Sequence, residues 1–423
     1  MIEKNKGKKF TENAFLVGAV HSGLTSFKVN EHLHELELLA QTAGANVVHH
    51  FVQKLNKINP SYFIGTGKAK LIVEQAISLN ISLIIFDDEL SPAQIKNFSN
   101  LSKDVKVIDR SSLILEIFSQ HAQTKEAKTQ VELAQLEYLL PRLTRAWTHL
   151  ERQMGGIGTR AGAGETQIEV DRRLVRTRIS NLKKELIKID KERETQRKKR
   201  KNNYKVSLAG YTNAGKSTLM KLLSGSDVYI QDKLFATLDT TIRSVSLDKI
   251  HTILLSDTVG FVRKLPHHLV ASFRSTLKEI VESNLILIVL DSSSDYIIDH
   301  YETITQVLKD IGANKQFLVV LNKIDLIKSK SKFSFLKNAF PNGIYISALD
   351  KLRIDSLKNS IIDQMDKDYR TIELKLPYEK PKEIAFSQQN VDIIERDYKN
   401  DHIYLKIRGP AERIDQIEFM LKK

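Results

Sequence analysis

The sequence contains no cysteine among its 423 residues. This absence excludes a disulfide framework, a zinc site with cysteine ligands and a catalytic thiol. Long hydrophobic runs are also missing, since the strongest, Leu285 to Leu290, falls far short of the about 20 residues that a membrane helix needs. Acidic residues are the minority, 51 against 65 lysines and arginines, which gives a formal charge of +14. We therefore expect a cytoplasmic protein without stable membrane insertion that meets polyanions, with RNA or DNA as the first candidates.

The length and a hydrophobic content of 41% predict several domains, each with its own core. Residues 1–119 alternate short apolar runs with helical patterns, which predicts an N-terminal α/β domain with a parallel sheet. Ser91 followed by Pro92 is typical of a helix start. The run Gly65 to Lys68 lacks the full phosphate-loop spacing and is interpreted as a tight turn before a helix over residues 69–78, with ATP binding by this domain as the lesser alternative.

Residues 120–202 predict an antiparallel helical hairpin. Apolar residues recur at steps of three and four from Leu133 to Leu150 and again from Ile168 to Ile189, with a glycine cluster between the two runs. Two helices of an ordinary bundle would give the same pattern. The segment 191–201 holds seven basic and two acidic residues, hence a net charge of +5. This charge suits phosphate contacts and equally a solvated hinge between domains.

Residues 203–367 predict a doubly wound α/β domain, and residues 368–423 a small separate α+β domain. The smaller domain reads as a strand, a short helix, two strands around Asn400 and Asp401, and a helix opened by Pro410. The larger domain contains five apolar strands: Val206 to Ala209, Ile253 to Leu255, Leu285 to Leu290, Phe317 to Leu321 and Ile344 to Ile346.

A phosphate-binding loop is predicted after the first of these five strands. Its eight residues satisfy the GxxxxGK[ST] pattern, and they are Gly210, Tyr211, Thr212, Asn213, Ala214, Gly215, Lys216 and Ser217. The glycines allow backbone amides and a helix N-terminus to face phosphate oxygens. Lys216 is predicted to neutralise the β- and γ-phosphates, and the Ser217 hydroxyl to bind Mg²⁺. A single loop of this kind also arises by chance.

Three further strings follow strands of the same domain and remove most of that ambiguity. The first is Asp257-Thr258-Val259-Gly260, the second Asn322-Lys323-Ile324-Asp325 and the third Ser347-Ala348-Leu349. An aspartate in the first string can hold a magnesium-bound water, and its glycine amide can sense a γ-phosphate. The Asp325 carboxylate can accept both N–H donors of a guanine edge, a pair that adenine lacks. Together the motifs predict a site for GTP and GDP at the carboxyl edge of the sheet, in an enzyme that hydrolyses GTP.

With these motifs assembled, the chain resembles the HflX family of ribosome-associated GTPases, in the Obg-HflX superfamily, over nearly its full length. Phe235-Ala236-Thr237-Leu238-Asp239 is similar to the first switch of that family, and Leu265-Pro266-His267 to part of its second switch. The resemblance implies that Thr237 is a second hydroxyl ligand of Mg²⁺ and that Lys216, Thr237 and Gly260 form the catalytic set.

The resemblance extends to both segments upstream of the nucleotide motifs. Residues Tyr62 to Lys68 match the family's N-terminal domain, and Gly155 to Arg160, Gly164 to Gln167 and Asp171 to Arg173 are similar to its glycine-rich hallmark segment. This sequence departs from the family where Ala161-Gly162-Ala163-Gly164 replaces a usual Gly-Pro-Gly, which leaves the geometry of that loop undefined.

The resemblance implies a monomer that binds the large (50S) ribosomal subunit and its rRNA and dissociates or rescues stalled or idle ribosomes. The hairpin would reach toward the peptidyl-transferase centre, with a glycine-rich basic tip moulded to RNA, although a solvated linker would have the same composition. A ribosome-assembly GTPase acting on rRNA precursor particles would share every nucleotide motif. A membrane-associated signalling switch is disfavoured, because the sequence has no lipidation motif and no long amphipathic basic helix beyond the hairpin.

Two single residues bear on the rate of hydrolysis. Phe261 stands where many hydrolysing GTPases carry a glutamine that orients water, and a phenyl ring cannot do this. Slow intrinsic hydrolysis is therefore predicted, with the missing help supplied by an ion or a bound partner. Asn213 resembles the asparagine that helps to hold K⁺ near the phosphates in several GTPases of this kind, and it is equally well explained as a turn residue.

Overall fold

A computed structural model gives the fold. It describes residues 12–21, 23–143, 167–199, 203–225, 235, 241–258, 260–264, 274–313, 315–379, 381–389, 391–399 and 401–421. Within these ranges every helix is too short or too polar to cross a bilayer. The chain divides into two compact units. Among the described residues, the first unit holds those up to Ile189 with Phe235 and Lys264, and the second holds the remainder.

The first unit is built around a four-stranded sheet of order β2-β1-β3-β4 in which all neighbouring strands are parallel. Its strands are β1 (Glu12–Val20), β2 (Ala45–Lys54), β3 (Leu83–Phe86) and β4 (Lys106–Asp109), and its helices include α1 (Ser26–Ala43), α2 (Thr66–Ser78), α3 (Pro92–Leu101) and α4 (Arg110–His121). Helix α3 begins where the sequence predicts, because Ser91 and Gln94 form a reciprocal capping box around Pro92. The parallel α/β layer predicted for the N-terminal third is confirmed.

The turn predicted at Gly65 to Lys68 is wrong in detail. Helix α2 begins at Thr66, with Gly65 as its N-cap, so that Gly67 lies inside the first helical turn. The side chain of Gln53 on β2 accepts a 3.0 Å hydrogen bond from the Gly65 amide, which satisfies a donor that the helix itself cannot. A tertiary contact therefore starts the helix earlier than the glycines indicate.

A buried ionic cluster lies at the carboxyl end of this sheet. Arg110, which is 2% exposed, contacts Glu35 and donates a 2.8 Å hydrogen bond to Asp87. The ammonium of Lys264 lies 2.5 Å from Asp87 and 2.6 Å from Asp88. Burial opposes ionisation of Asp87, but the His32 ring and the charges of Arg110 and Lys264 outweigh it and hold the pKa of Asp87 well below its ordinary 3.8.

Two further helices pack as the periodicity of the sequence predicts. Helix α5 (Lys125–Leu139) continues into a 3₁₀ turn at Leu140–Arg142, and α6 spans Gln167–Lys199, of which the residues up to Ile189 belong to the first unit. Leucines of α5 share one apolar cluster with Val175 and Leu182 of α6. Ion pairs join Glu132 to Arg178 and Lys125 to Glu185, so that the two helices run antiparallel. The predicted glycine-rich tip, 155–164, lies outside the described residues.

The second unit contains a six-stranded sheet of order β10-β9-β8-β5-β7-β6. Its strands are β5 (Tyr204–Gly210), β6 (Thr241–Ser246), β7 (Thr252–Asp257), β8 (Leu285–Asp291), β9 (Gln316–Asn322) and β10 (Ile344–Tyr345). Its helices are α7 (Lys216–Ser224), α8 (Arg274–Val281), α9 (Ile297–Asp310), α10 (Lys330–Ala339) and α11 (Ile354–Asp368). All strand pairs are parallel except β6 with β7. The doubly wound sheet is confirmed, and β6 was not predicted.

A three-stranded antiparallel sheet of order β11-β13-β12 completes the second unit. Its elements are β11 (Tyr369–Pro377), α12 (Pro381–Gln389), β12 (Asp392–Tyr398), β13 (His402–Pro410) and α13 (Ala411–Leu421). The order of elements is the one predicted for residues 368–423. The boundaries proposed for the four domains stay predictions.

Candidate functional site

The predicted phosphate loop joins β5 to α7 in the second unit. Gly215 precedes the helix with a φ of +89°, and a Cβ there would overlap the Asn322 side chain, so only glycine fits. The buried ammonium of Lys216 donates hydrogen bonds to the carbonyl oxygens of Gly210 at 3.0 Å and Tyr211 at 2.8 Å. Because an ammonium has three donors, one remains for a phosphate oxygen. Burial lowers the pKa of Lys216 to about 8, which an incoming anion would offset.

Oxygen atoms line the loop on the side of β7. The Ser217 hydroxyl donates a 2.7 Å hydrogen bond to Oδ2 of Asp257. Asp257 Oδ1 and Thr212 Oγ1 are buried, and neither has a hydrogen-bond partner within the described part of the chain. Burial raises the pKa of Asp257 above its ordinary 3.8, with Lys216 and Ser217 opposing that rise. Unsatisfied oxygens of this kind are typical of a site that receives a cation or hydrated phosphates.

Asn322 joins the two ends of the site. Its side-chain amide donates to the Ala214 carbonyl at 2.9 Å, and its side-chain oxygen accepts from the Ala348 amide at 2.9 Å. It therefore fastens the phosphate loop to the Ser347-Ala348 loop. These two partners lie 108 and 26 residues away in the sequence, and a direct contact of Asn322 with guanine stays a prediction.

The other residues of that string lie in and before a 3₁₀ turn, Ile324–Leu326. The ammonium of Lys323 is 2.8 Å from Asp291, the last residue of β8. Oδ1 of Asp325 is buried and lacks a hydrogen-bond partner among the described residues, which leaves it free to accept from a base. Asp291 was missed from the sequence, although a carboxylate directly after an apolar strand was the signal used for Asp257.

The remaining predicted residues are distributed as follows. The Thr258 hydroxyl donates to the Leu208 carbonyl at 2.8 Å and so stabilises the sheet. Ser347 is buried and its hydroxyl accepts from the amide of Asp350, while Leu349 is 75% exposed. Phe235 belongs to the first unit, where its ring packs edge-to-face on Phe118 with centroids 4.7 Å apart. Val259 and the run 236–239, which includes Thr237, lie outside the described residues.

The arrangement suits a molecule with phosphates at one end and a base at the other. Lys216 and the N-terminus of α7 supply positive potential at the first end. At the second end, Asp325 presents a carboxylate to hydrogen-bond donors. Asn322 fixes the distance between the two ends. In the described ranges, no group of three or more histidines, aspartates and glutamates could hold a metal ion by itself.

Comparison with known proteins agrees with this geometry. Three family models match in succession: "GTP-binding GTPase N-terminal" over residues 30–119, "GTP-binding GTPase Middle Region" over 121–200 and "50S ribosome-binding GTPase" over 205–323. GTPase HflX of Flavobacterium psychrophilum is 46% identical over 87% of this chain and 93% of its own length. GTPase HflX of Escherichia coli is 42% identical, over 85% of this chain and 84% of the relative.

Among solved structures, a GTP-binding protein from the hyperthermophilic archaeon Sulfolobus solfataricus in complex with GDP is 26% identical. The match covers 84% of this chain and 99% of that one, with a TM-score of 0.44. The three family models together span residues 30–323 in the order of the motifs, and each of the two HflX relatives matches over most of the chain. The chain belongs to the HflX family of GTPases, enzymes that hydrolyse GTP.

Proposed function

We propose that this GTPase binds the large ribosomal subunit and its rRNA in the cytoplasm and dissociates or rescues stalled or idle ribosomes. The observation that carries the proposal is a basic face on helix α6. The description "50S ribosome-binding GTPase" of the model that matches residues 205–323 supports the same partner.

The basic face is formed by four exposed residues of α6, Arg173, Arg176, Lys184 and Lys188. At 3.6 residues per turn their Cβ atoms fall within an arc of about 120°, on the side away from the apolar residues that pack on α5. Arg178 and Lys183 lie on the flanks of α6 nearer to α5, where they form ion pairs with Glu132 and Glu137. The basic face lies on the side of α6 away from α5, where RNA phosphates can approach its exposed side chains.

The position of Phe261 indicates that efficient GTP hydrolysis needs a partner. Its side chain is buried, and its backbone pairs with the phosphate loop. It offers no polar group to a water molecule, so hydrolysis must rest on positioning and charge stabilisation. We expect slow turnover by the protein alone and faster turnover on the 50S subunit.

Magnesium fits the oxygen donors of the site. We propose that the hydroxyls of Ser217 and Thr237 hold the ion and that Asp257 accepts hydrogen bonds from its water ligands. An ion that keeps several waters and binds substrate phosphates does not need three protein carboxylates. When bound, it neutralises charge on the β- and γ-phosphates. Potassium is proposed as a second ion through Asn213, whose exposed side chain and φ of +60° equally suit a turn.

The test is co-sedimentation with 50S, 30S and 70S particles in GTP, GDP and a non-hydrolysable analogue. A variant with Arg173, Arg176, Lys184 and Lys188 changed to glutamine should lose 50S binding and 50S-stimulated hydrolysis. The matched control changes four exposed lysines of the N-terminal region, Lys57, Lys70, Lys96 and Lys103, to glutamine and loses the same charge. An equal loss of 50S binding in both variants would mean that binding depends on the net charge of the protein and not on the position of these four residues. Preference for precursor particles over mature subunits would favour the assembly GTPase instead.

A further inference from the structure

Tyr211, the second residue of the phosphate loop, is held by contacts that no sequence motif explains. It is buried and its ring stacks on the ring of His300 from α9, with centroids 4.0 Å apart and an interplanar angle of 18°. Its hydroxyl accepts a 2.8 Å hydrogen bond from the backbone amide of Arg263. Tyr211 thus connects the phosphate loop to the segment that follows Gly260.

The backbone makes the same connection two residues earlier. The amide of Phe261 donates to the Gly210 carbonyl at 3.0 Å, and the amide of Thr212 donates to the Phe261 carbonyl at 2.9 Å. These bonds form a parallel bridge between Tyr211 and Phe261. The segment 261–263 is therefore tied to the loop at both ends, by backbone at Phe261 and by the tyrosine hydroxyl at Arg263.

Gly260 lies directly before this tied segment. A Cβ on Gly260 would come within 2.7 Å of the Thr212 side chain and 3.1 Å of the Lys216 ammonium. The glycine thus sits against the same residues that the γ-phosphate must approach. A small shift of the segment 261–263 would move the Gly260 amide relative to Lys216, and misplacement on the scale of 1 Å is enough to slow catalysis strongly.

We infer that Tyr211 is a positioning residue for GTP hydrolysis, whose hydroxyl holds the segment after Gly260 in register with the phosphate loop. The stacked His300 fixes the plane of the tyrosine ring and hence the direction of the hydroxyl. Because the Tyr211 side chain acts on the peptide that senses the γ-phosphate, it affects turnover more than the binding of nucleotide.

Tyr211→Phe tests this, since it keeps the ring and its stacking but removes the acceptor. Under steady-state conditions with GTP in excess over enzyme, we expect kcat to fall about fivefold, the effect of one neutral hydrogen bond, while KM changes less than about twofold. Hydrogen exchange of the Arg263 amide should become faster. The matched control is Tyr204→Phe at the opposite end of β5, where a buried tyrosine hydroxyl contacts Asp368 at 3.4 Å. Its kcat should stay at the wild-type value.

Three outcomes would overturn the inference. Unchanged kcat in Tyr211→Phe would show that the hydroxyl contact does not matter for turnover. Equal losses of kcat in Tyr211→Phe and Tyr204→Phe would mean that the loss comes from disturbed packing and not from the contact between the Tyr211 hydroxyl and Arg263. A higher kcat in Tyr211→Phe would mean that the hydroxyl restrains the segment instead of positioning it. GDP affinity and the melting temperature, measured on both variants, identify a variant that has failed to fold, and His300→Ala then serves as the second probe, with a smaller loss of kcat expected.

Discussion

The hydroxyl of Ser217 donates a 2.7 Å hydrogen bond to Asp257 across a sequence separation of 40 residues. The serine lies in the first turn of α7 and the aspartate at the end of β7. The second carboxylate oxygen of Asp257 has no hydrogen-bond partner in the described ranges. The pair therefore brings a hydroxyl and a carboxylate oxygen together beside the phosphate loop, as a hydrated cation requires.

Ser217→Ala should weaken the Mg²⁺-dependent part of GTP binding by about 10- to 100-fold, the range found when a supporting group of a metal site is removed. Ser217→Thr keeps the hydroxyl that the motif requires and should behave like the wild type. Calorimetry over a range of Mg²⁺ concentrations measures both. If the alanine variant keeps the wild-type response to Mg²⁺, the proposed magnesium site is not at Ser217.

Lys216→Ala should reduce GTP affinity more than about tenfold, because the loop loses its charged phosphate donor. The melting temperature of the nucleotide-free variant should stay the same or rise. The reason is that burial lowers the pKa of Lys216 to about 8, so the empty protein carries a desolvated ammonium that GTP would otherwise neutralise. Calorimetry measures the change in GTP affinity, and thermal unfolding measures the change in melting temperature. Unchanged affinity would contradict the phosphate assignment.

Asp325→Asn should shift the preference of the site from GTP to xanthosine triphosphate. Oδ1 of Asp325 is buried without a hydrogen-bond partner among the described residues, as expected for an atom that accepts from a base. An asparagine amide complements the carbonyl that replaces the guanine amino group, so GTP affinity should fall at least about 100-fold. Competition binding with both triphosphates measures the shift, and Asp310→Asn, at the end of α9, is a control for charge. A variant that still prefers GTP would refute the guanine assignment.

The sequence predicted the parts of the site that depend on local pattern. Apolar runs placed β5, β7, β8 and β9, and the motifs that follow β5, β7 and β9 then fell at one edge of the sheet, because parallel strands bring their carboxyl ends together. Strand β6 was missed because its only fully buried side chain is Val245, which gives too little hydrophobic contrast for a strand signal.

The contacts that connect these motifs could not be read from local pattern. Asn322 reaches Ala214, and Tyr211 reaches the Arg263 amide 52 residues away. Both partners are backbone atoms, which every residue carries, so no residue type in the sequence marks them. Only the folded sheet, which sets these loops side by side, reveals them.

Asp87→Asn should destabilise the first unit by about 3 kcal/mol, because it removes one partner of the buried Arg110 charge. Urea unfolding of the full chain at pH 7 measures the loss, with the exposed Asp104→Asn as the control. A loss as small as that of the control would mean that Glu35 alone satisfies Arg110.

The ion pair between Asp87 and Arg110 also predicts that the free energy of unfolding depends on pH. Because the folded state holds the pKa of Asp87 below its ordinary 3.8, its ionisation stabilises the fold fully above that pH, and the contribution is lost as the pH falls further toward the folded pKa. The difference in unfolding free energy between wild type and Asp87→Asn should therefore be constant near neutral pH and shrink below about pH 3.8. A difference that does not change with acid would contradict the assignment of the lowered pKa to Asp87.

Deleting residues 156–164 should leave GTP affinity intact and weaken the action of the protein on ribosomes. The deletion lies outside the nucleotide motifs in sequence and removes the glycine-rich segment that is predicted to form the tip of the hairpin. Ribosome dissociation and 50S co-sedimentation measure the loss, while calorimetry with GTP checks that the nucleotide site is unchanged.

Salt dependence separates the tip from the basic face of α6. Each RNA phosphate contact releases counterions, so the slope of log affinity against log salt should shrink by about one for every contact removed. The deletion removes one arginine, Arg160, whereas the quadruple glutamine variant of Arg173, Arg176, Lys184 and Lys188 removes four charges. The salt dependence of the quadruple variant should therefore be weaker than that of the deletion variant, even if the deletion lowers the activity on ribosomes more. If the shortened protein dissociates ribosomes as well as the intact chain at physiological salt, the hairpin acts only as a spacer, and an ordinary helical bundle becomes the better interpretation of residues 120–202.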